Sequence, residues 1–210
     1  MSEASPAFQY ATLSQQREAA TLGMWAFLAT EVLFFGALIA AYSAYRIAWP
    51  DEIAAAARHT KVALGAINTA VLLTSSAFIA TAVAAEEADR RRPLVLCLLA
   101  TAVLGLSFIG IKGYEYWLEY REGLVPALNF DFGRYGGIGE LFFLFYFFAT
   151  GLHAVHLTIG IAMVLVLAAR IGAGRPPRPP VLRMVGLYWH FVDIVWIFLF
   201  PLIYLPGRTG

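Results

Sequence analysis

Met184–Leu205 reads MVGLYWHFVDIVWIFLFPLIYL, and this stretch decides what kind of protein the chain is. About 20 mostly apolar residues in a helix, rising about 1.5 Å each, cross a hydrocarbon core of about 30 Å. The stretch meets that length with one carboxyl, Asp193, and one imidazole, His190, inside it. It predicts a transmembrane helix. Working outward, four more stretches meet the same test: Leu22–Tyr45, Val62–Ala84, Leu94–Trp117 and Gly139–Ala169. The last of these exceeds the bilayer thickness and must tilt or protrude. Between them lie readable connections. They are Arg46–Lys61 with Pro50 and Asp51, the charge run Glu86–Arg92, the Gly- and charge-rich Glu119–Gly137, and Arg170–Arg183 with four prolines. The expected fold is all-α: a polar segment over 1–21, one five-helix membrane bundle over 22–205, and a tail over 206–210. No large soluble domain and no internal repeat is visible.

Composition agrees. Hydrophobic residues make up 60% of the chain and charged residues 14%, against about 45–50% and about 25% in soluble domains. A net charge of +1 offers no clustered basic footprint for nucleic acid. Cys97 is the single cysteine, which excludes an intrachain disulfide and a cysteine-rich metal site. Met1–Arg17 is polar and lacks the basic segment and apolar run of a signal peptide, so insertion rests on the internal helices.

Orientation follows from Lys and Arg. With five spans, the N-terminal side carries Arg17, Arg90, Arg91, Arg92, Arg170, Arg175, Arg178 and Arg183, eight in all. The other side carries Arg46, Arg58, Lys61, Arg121, Arg134 and Arg208, six in all. The bias is shallow and places the N-terminus inside and the C-terminus outside.

Ionisable groups at bilayer depth cost about 2.5–3.5 kcal/mol each on insertion scales, so each needs a reason. Glu31 lies mid-helix among Phe27, Phe34 and Phe35. It reads as a proton-relay member, as an anchor for a polar partner, or as an acid bonded to a neighbouring helix. His153 and His156, three apart with Gly160 beyond, have a spacing that can share a metal or ligate haem. Interhelical hydrogen bonding or lipid contact is the plainer account. A two-haem cytochrome would need all four histidines, and His59 falls in a loop. The isolated chain is therefore expected to bind neither haem nor copper. Trp189, His190, Asp193 and Trp196 share one side of their helix. They read as a packing interface toward another subunit, in which Asp193 pairs with His190 or with another helix. Lys112 and Glu115 read as a local pair snorkelling toward the membrane surface. Gly36, Ala40 and Ala44, four apart, are either a close-approach stripe for another helix or chance in an Ala-rich run.

Four segments, in order and in four helices, resemble one family: subunit III of haem–copper cytochrome c oxidases. GLYWHFVDIVWIFLF (Gly186–Phe200) is similar to that family's closing helix, and ATGLHAVHLTIG (Ala149–Gly160) to its T-G-x-H-x-x-H-x-x-x-G segment. INTAVLLTSS (Ile67–Ser76) resembles its N-T-x-x-L-L-x-S run, and ATEVLFFGAL (Ala29–Leu38) the helix with a buried glutamate, here Glu31. The resemblance spans about Gly23 to Tyr204 and fits the short five-helix bacterial form.

It implies a multi-pass subunit of the bacterial cytoplasmic membrane with no catalytic site, haem or copper of its own. Haem and copper would sit in partner subunits. Subunit I is the implied partner, with subunit II and further small subunits. The implied role is to stabilise the catalytic subunit, bind phospholipid and support proton uptake. Carried over residue by residue, Glu31, His153, His156 and Arg170 fall where the family lines or borders bound lipid. The chain departs from the family in having Glu86 and Glu87 where a His pair is common, and Lys112 where Gln is common. The two additional helices that wall a lipid cleft in seven-helix relatives are absent from the short form. Competing readings are an accessory subunit of a quinol oxidase or nitric oxide reductase, an independent proton-coupled transporter, and a haem-anchoring cytochrome.

Overall fold

The computed structural model describes residues 9–175 and 180–208, apart from the side chains of residues 134 and 135. The first eight residues of the polar segment, Arg178 and the last two residues of the tail lie outside the described residues, as does the side chain of Arg134. Six helices are found there, and no strand: α1 Leu13–Ala48, α2 Pro50–Ala57, α3 Val62–Glu87, α4 Arg91–Arg121, α5 Phe132–Gly172 and α6 Val181–Tyr204. Five are long and apolar enough to cross a membrane: α1, α3, α4, α6 and the Gly136–Gly172 part of α5. The five expected spans are present, and most of them run further than the apolar runs that revealed them.

The extra length has local causes. α1 begins nine residues ahead of Leu22 because Thr12 caps it, its hydroxyl accepting from the Gln15 N–H at 3.2 Å. Gln15 returns the favour, accepting from the Ala11 N–H at 2.9 Å. This near-reciprocal exchange satisfies donors that a helix start leaves open. α4 continues through Glu119 to Arg121, so Glu119, expected in a connection, is helical. α5 is interrupted at Gly136, where φ 64° and ψ −179° describe a backbone region open only to glycine.

The first connection holds a helix that the apolar pattern did not predict. Trp49, preceding Pro50, leaves the helical region at φ −133°, ψ 66°, as a residue before proline tends to do. Pro50 then opens α2, where its missing N–H costs nothing. The far end of α2 is closed by Arg208, whose guanidinium donates to the carbonyls of Arg58 at 2.7 Å and Thr60 at 2.8 Å.

α3, α4, α5 and α6 form the packed bundle, and α1 leans on it chiefly through α6 and α2. Trp189 and Trp196 of α6 are fully buried at its centre, with Leu98, Phe108, Leu157 and Leu199. Gly105 makes that packing feasible: a Cβ there would lie 2.9 Å from both Trp189 and Ile161. The stripe Gly36, Ala40 and Ala44 faces outward, with open space beside Gly36, so no helix among the described residues uses it.

Candidate functional site

Polar side chains inside the bundle fall into three groups, and each begins with a helical register. Glu31 of α1 faces His156 of α5, the Oε2–Nε2 distance being 3.1 Å. The other ring nitrogen of His156 lies 3.0 Å from the Leu152 carbonyl, which can only accept, so Nδ1 carries a hydrogen. Nε2 and the Glu31 carboxyl therefore hold a single proton between them, on one partner or the other. Either arrangement leaves the pair electrically neutral. Phe35 packs edge-on against His156 at 5.3 Å, and the pair keeps 14% (His156) and 19% (Glu31) of its side-chain surface exposed. Of the aromatic residues expected around Glu31, Phe35 packs against its partner while Phe27 and Phe34 are exposed, and a neighbouring helix supplies the partner.

The second group joins α6 to α3. The Trp189 indole N–H donates to Ser75 Oγ at 3.0 Å, and that of Trp196 donates to Thr69 Oγ1 at 3.0 Å. His190 Nδ1 meets Ser76 Oγ at 2.7 Å. Buried indoles take hydroxyl partners because an unmet N–H in an apolar medium is costly. Trp189, Trp196 and Asp193 are buried inside this chain, and the two indoles pack against α4 and α5 as well as α3. Asp193 does not pair with His190. Ser76 sits close enough to interact with it, yet neither carboxylate oxygen closes a hydrogen bond.

The third group overturns the snorkelling expected of Lys112 and Glu115. They do form a local pair, at 3.0 Å, but Lys112 is 2% exposed and Glu115 is fully buried. Lys112 Nζ also donates to the hydroxyls of Tyr146 at 2.7 Å and Tyr204 at 2.6 Å. Snorkelling fails because two tyrosines from α5 and α6 complete the ammonium's bonds where it stands. Four aromatic rings, of Tyr116, Tyr146, Trp196 and Tyr204, face the same charge at 4.4–5.7 Å. Such ring faces attract a cation most strongly when water is excluded. Glu119, one turn beyond Glu115, is also fully buried.

His153 lies between these groups. It is fully buried between Phe108 at 5.4 Å and Trp196 at 5.1 Å, and neither ring nitrogen has a hydrogen-bond partner. His153 and His156 therefore face different neighbours. Among the described residues no group of three or more His, Cys, Asp or Glu converges as a metal site would require. Arg170 sits exposed in the last turn of α5, well removed from Glu31. Sequence reasoning missed Glu119, Tyr146, Thr150 and Tyr204. A signal existed in the spacing of Tyr146, Thr150, His153 and His156, a polar stripe along one face of α5.

A family model described as cytochrome c oxidase subunit III matches residues 6–208 of this chain. Cytochrome c oxidase subunit 3 of Alkalihalophilus pseudofirmus is 29% identical over 194 residues, covering 90% of this chain and 87% of that protein. A probable quinol oxidase subunit 3 of Staphylococcus epidermidis is 29% identical over 190 residues, covering 90% and 89%. The heme-copper oxidase subunit I+III of Aeropyrum pernix is 31% identical over 195 residues, covering 87% of this chain and 22% of that larger protein.

Proposed function

This chain belongs to the cytochrome c oxidase subunit III family, and from that premise we propose that it is the accessory subunit that stabilises the catalytic subunit I of a respiratory terminal oxidase. The observation that carries the reading is the relative named subunit I+III, in which the region similar to this chain is part of one polypeptide with more. A fusion of that kind keeps the two parts in one membrane and supports their sitting side by side. The chemistry of the present chain agrees with an accessory role. Three of its four histidines, His156, His190 and His153, are engaged by a carboxyl, a serine and an aromatic cage. Haem and copper belong, in this reading, to the partner subunits, with subunit II and smaller chains completing the complex.

The membrane is the bacterial cytoplasmic membrane, with the Arg90–Arg92 and Arg170–Arg183 connections inside. Phospholipid binds at the inner rim, where Arg170 is exposed at the negative end of the α5 dipole. The chain supports proton uptake by holding the shape of the catalytic subunit and its lipid. Glu31 and His156 serve that purpose as the tie between α1 and α5. An accessory subunit of a quinol oxidase is the second reading, favoured by the name of the Staphylococcus relative.

The test is purification from native membranes in mild detergent, followed by identification of the chains and oxidation of cytochrome c and of a quinol. A haem- and copper-bearing many-helix chain in stoichiometric amount is expected, and the preferred donor separates the two oxidase readings. A stable monomer without any oxidase chain overturns both.

A further inference from the structure

The Lys112 cluster contains two carboxyls, Glu115 and Glu119, and one ammonium, all inside the bundle. An ammonium has three hydrogens to give. Lys112 gives one to Glu115 Oε2, one to Tyr146 and one to Tyr204, and nothing remains for Glu119. Glu119 lies near the Tyr146 hydroxyl and Glu115 near that of Tyr204, yet neither Glu119 oxygen nor Glu115 Oε1 closes a hydrogen bond. Three acceptor atoms are thus left open beside a single positive charge that is already committed. Ionised, Glu119 would be an uncompensated buried charge, among the costliest arrangements a protein interior can contain.

One proton resolves the charge and two of the three open acceptors. An O–H on Glu119 removes the excess negative charge and supplies the donor that Glu115 Oε1 lacks. Residues four apart on a helix stand on the same face, so the two carboxyls are neighbours on α4. We propose that Glu115 and Glu119 share one resident proton, forming a proton-holding site at the junction of α4, α5 and α6. The surrounding groups set the balance. α4 presents Lys112 and Tyr116, α5 presents Tyr146 and His153, and α6 presents Tyr204. From the start of α3, Lys61 faces Glu119, but its ammonium is bound to Glu122 at 2.7 Å near the surface. The proposal does not depend on the oxidase reading.

Infrared spectroscopy of the purified complex at neutral pH tests it, by subtracting each variant from the parent. Glu119→Gln and Glu115→Gln each leave one carboxylate for Lys112, so each is expected to remove one protonated-carboxyl carbonyl band, shifted in D2O. Lys112→Gln removes the ammonium and is expected to add a second such band. Glu31→Gln, remote from the cluster, serves as the control for position. The Gln variants keep side-chain volume; folding is checked by helical circular dichroism and monodisperse elution, and the two Glu variants alone decide the matter if the Lys variant fails to fold. Differences confined to carboxylate bands in both Glu variants overturn the proposal. So do carboxylate bands that move with sodium or potassium, which would assign the balancing charge to a metal cation.

Discussion

α1 and α6 are both transmembrane in length and apolarity, yet they live in different surroundings. α1 buries three of its 36 residues, Leu28, Phe35 and Tyr42, spaced seven apart as a single seam along an otherwise exposed helix. α6 buries thirteen residues, among them Tyr188, Trp189, Asp193, Trp196 and Tyr204, and leaves little of its circumference free. In water such a contrast would show as a polar face on the looser helix. In a bilayer it does not, because lipid tails are as apolar as a packed leucine and hydrophobicity cannot tell the two apart. Polar partners tell them apart. α6 reaches α3 through Trp189, His190 and Trp196. α1 reaches the bundle through Glu31 to His156 and through the Tyr42 hydroxyl, which donates to the Leu202 carbonyl at 3.0 Å.

The contrast is broken most directly by trading tryptophans. Trp189→Ala empties the centre of the bundle and strands Ser75, and large-to-small changes of this kind cost about 3–5 kcal/mol. Trp25→Ala removes a ring that is 56% exposed on α1, where substitutions typically stay within about 0.5 kcal/mol. Thermal unfolding of the purified complex should therefore drop markedly for the first and barely for the second. Equal drops would mean that α1 is packed as tightly as α6, by partner chains in place of its own.

The next effect is smaller and concerns how α1 is tied. Glu31→Ala leaves His156 Nε2 without its partner, a loss of about 1–3 kcal/mol for a buried polar group. Glu31→Gln retains a group that can bond to the same nitrogen. Spin labels on α1 and α5 should report a broadened distance distribution in the Ala variant and a parent-like one in the Gln variant. If Glu31→Gln instead stops proton uptake at once with α1 in place, the tie is a relay and the anchoring role is wrong.

The same distinction explains which features the sequence made legible. The five spans were readable because length and apolarity are local properties. Their ends were not, since the apolar run stops at Leu22 while the Thr12 cap carries the helix back to Leu13. That start was written in the T-x-x-Q spacing of Thr12 and Gln15. Glu31, His153, His156 and Asp193 stood out because each is ionisable within an apolar run. Lys112 and Glu115 read only as a snorkelling pair and Glu119 as part of a connection, because all three lie near the end of a span, where a surface-bound side chain looks the same. Only the approach of Tyr146 and Tyr204, distant in sequence, turns that surface pair into a buried one.

Arg170 carries the smallest expected effect and extends the comparison to the rim. It lies fourteen residues beyond His156 on a continuous helix, about 21 Å at a rise of about 1.5 Å per residue. That distance suits a phosphate held at the surface with acyl chains descending toward the Glu31–His156 tie. Exposed ion pairs contribute about 0–1 kcal/mol, since water and salt screen them and long side chains must be ordered. Arg170→Ala should therefore reduce retained anionic phospholipid by no more than about fivefold, with the effect fading as salt is raised. Initial turnover should stay at the parent level, while activity on prolonged turnover declines sooner as lipid is lost. Bound phospholipid and activity followed together over time make the check. Unchanged lipid with an immediate loss of activity would place Arg170 in a contact with another subunit, and the rim would then be a protein interface in place of a lipid one.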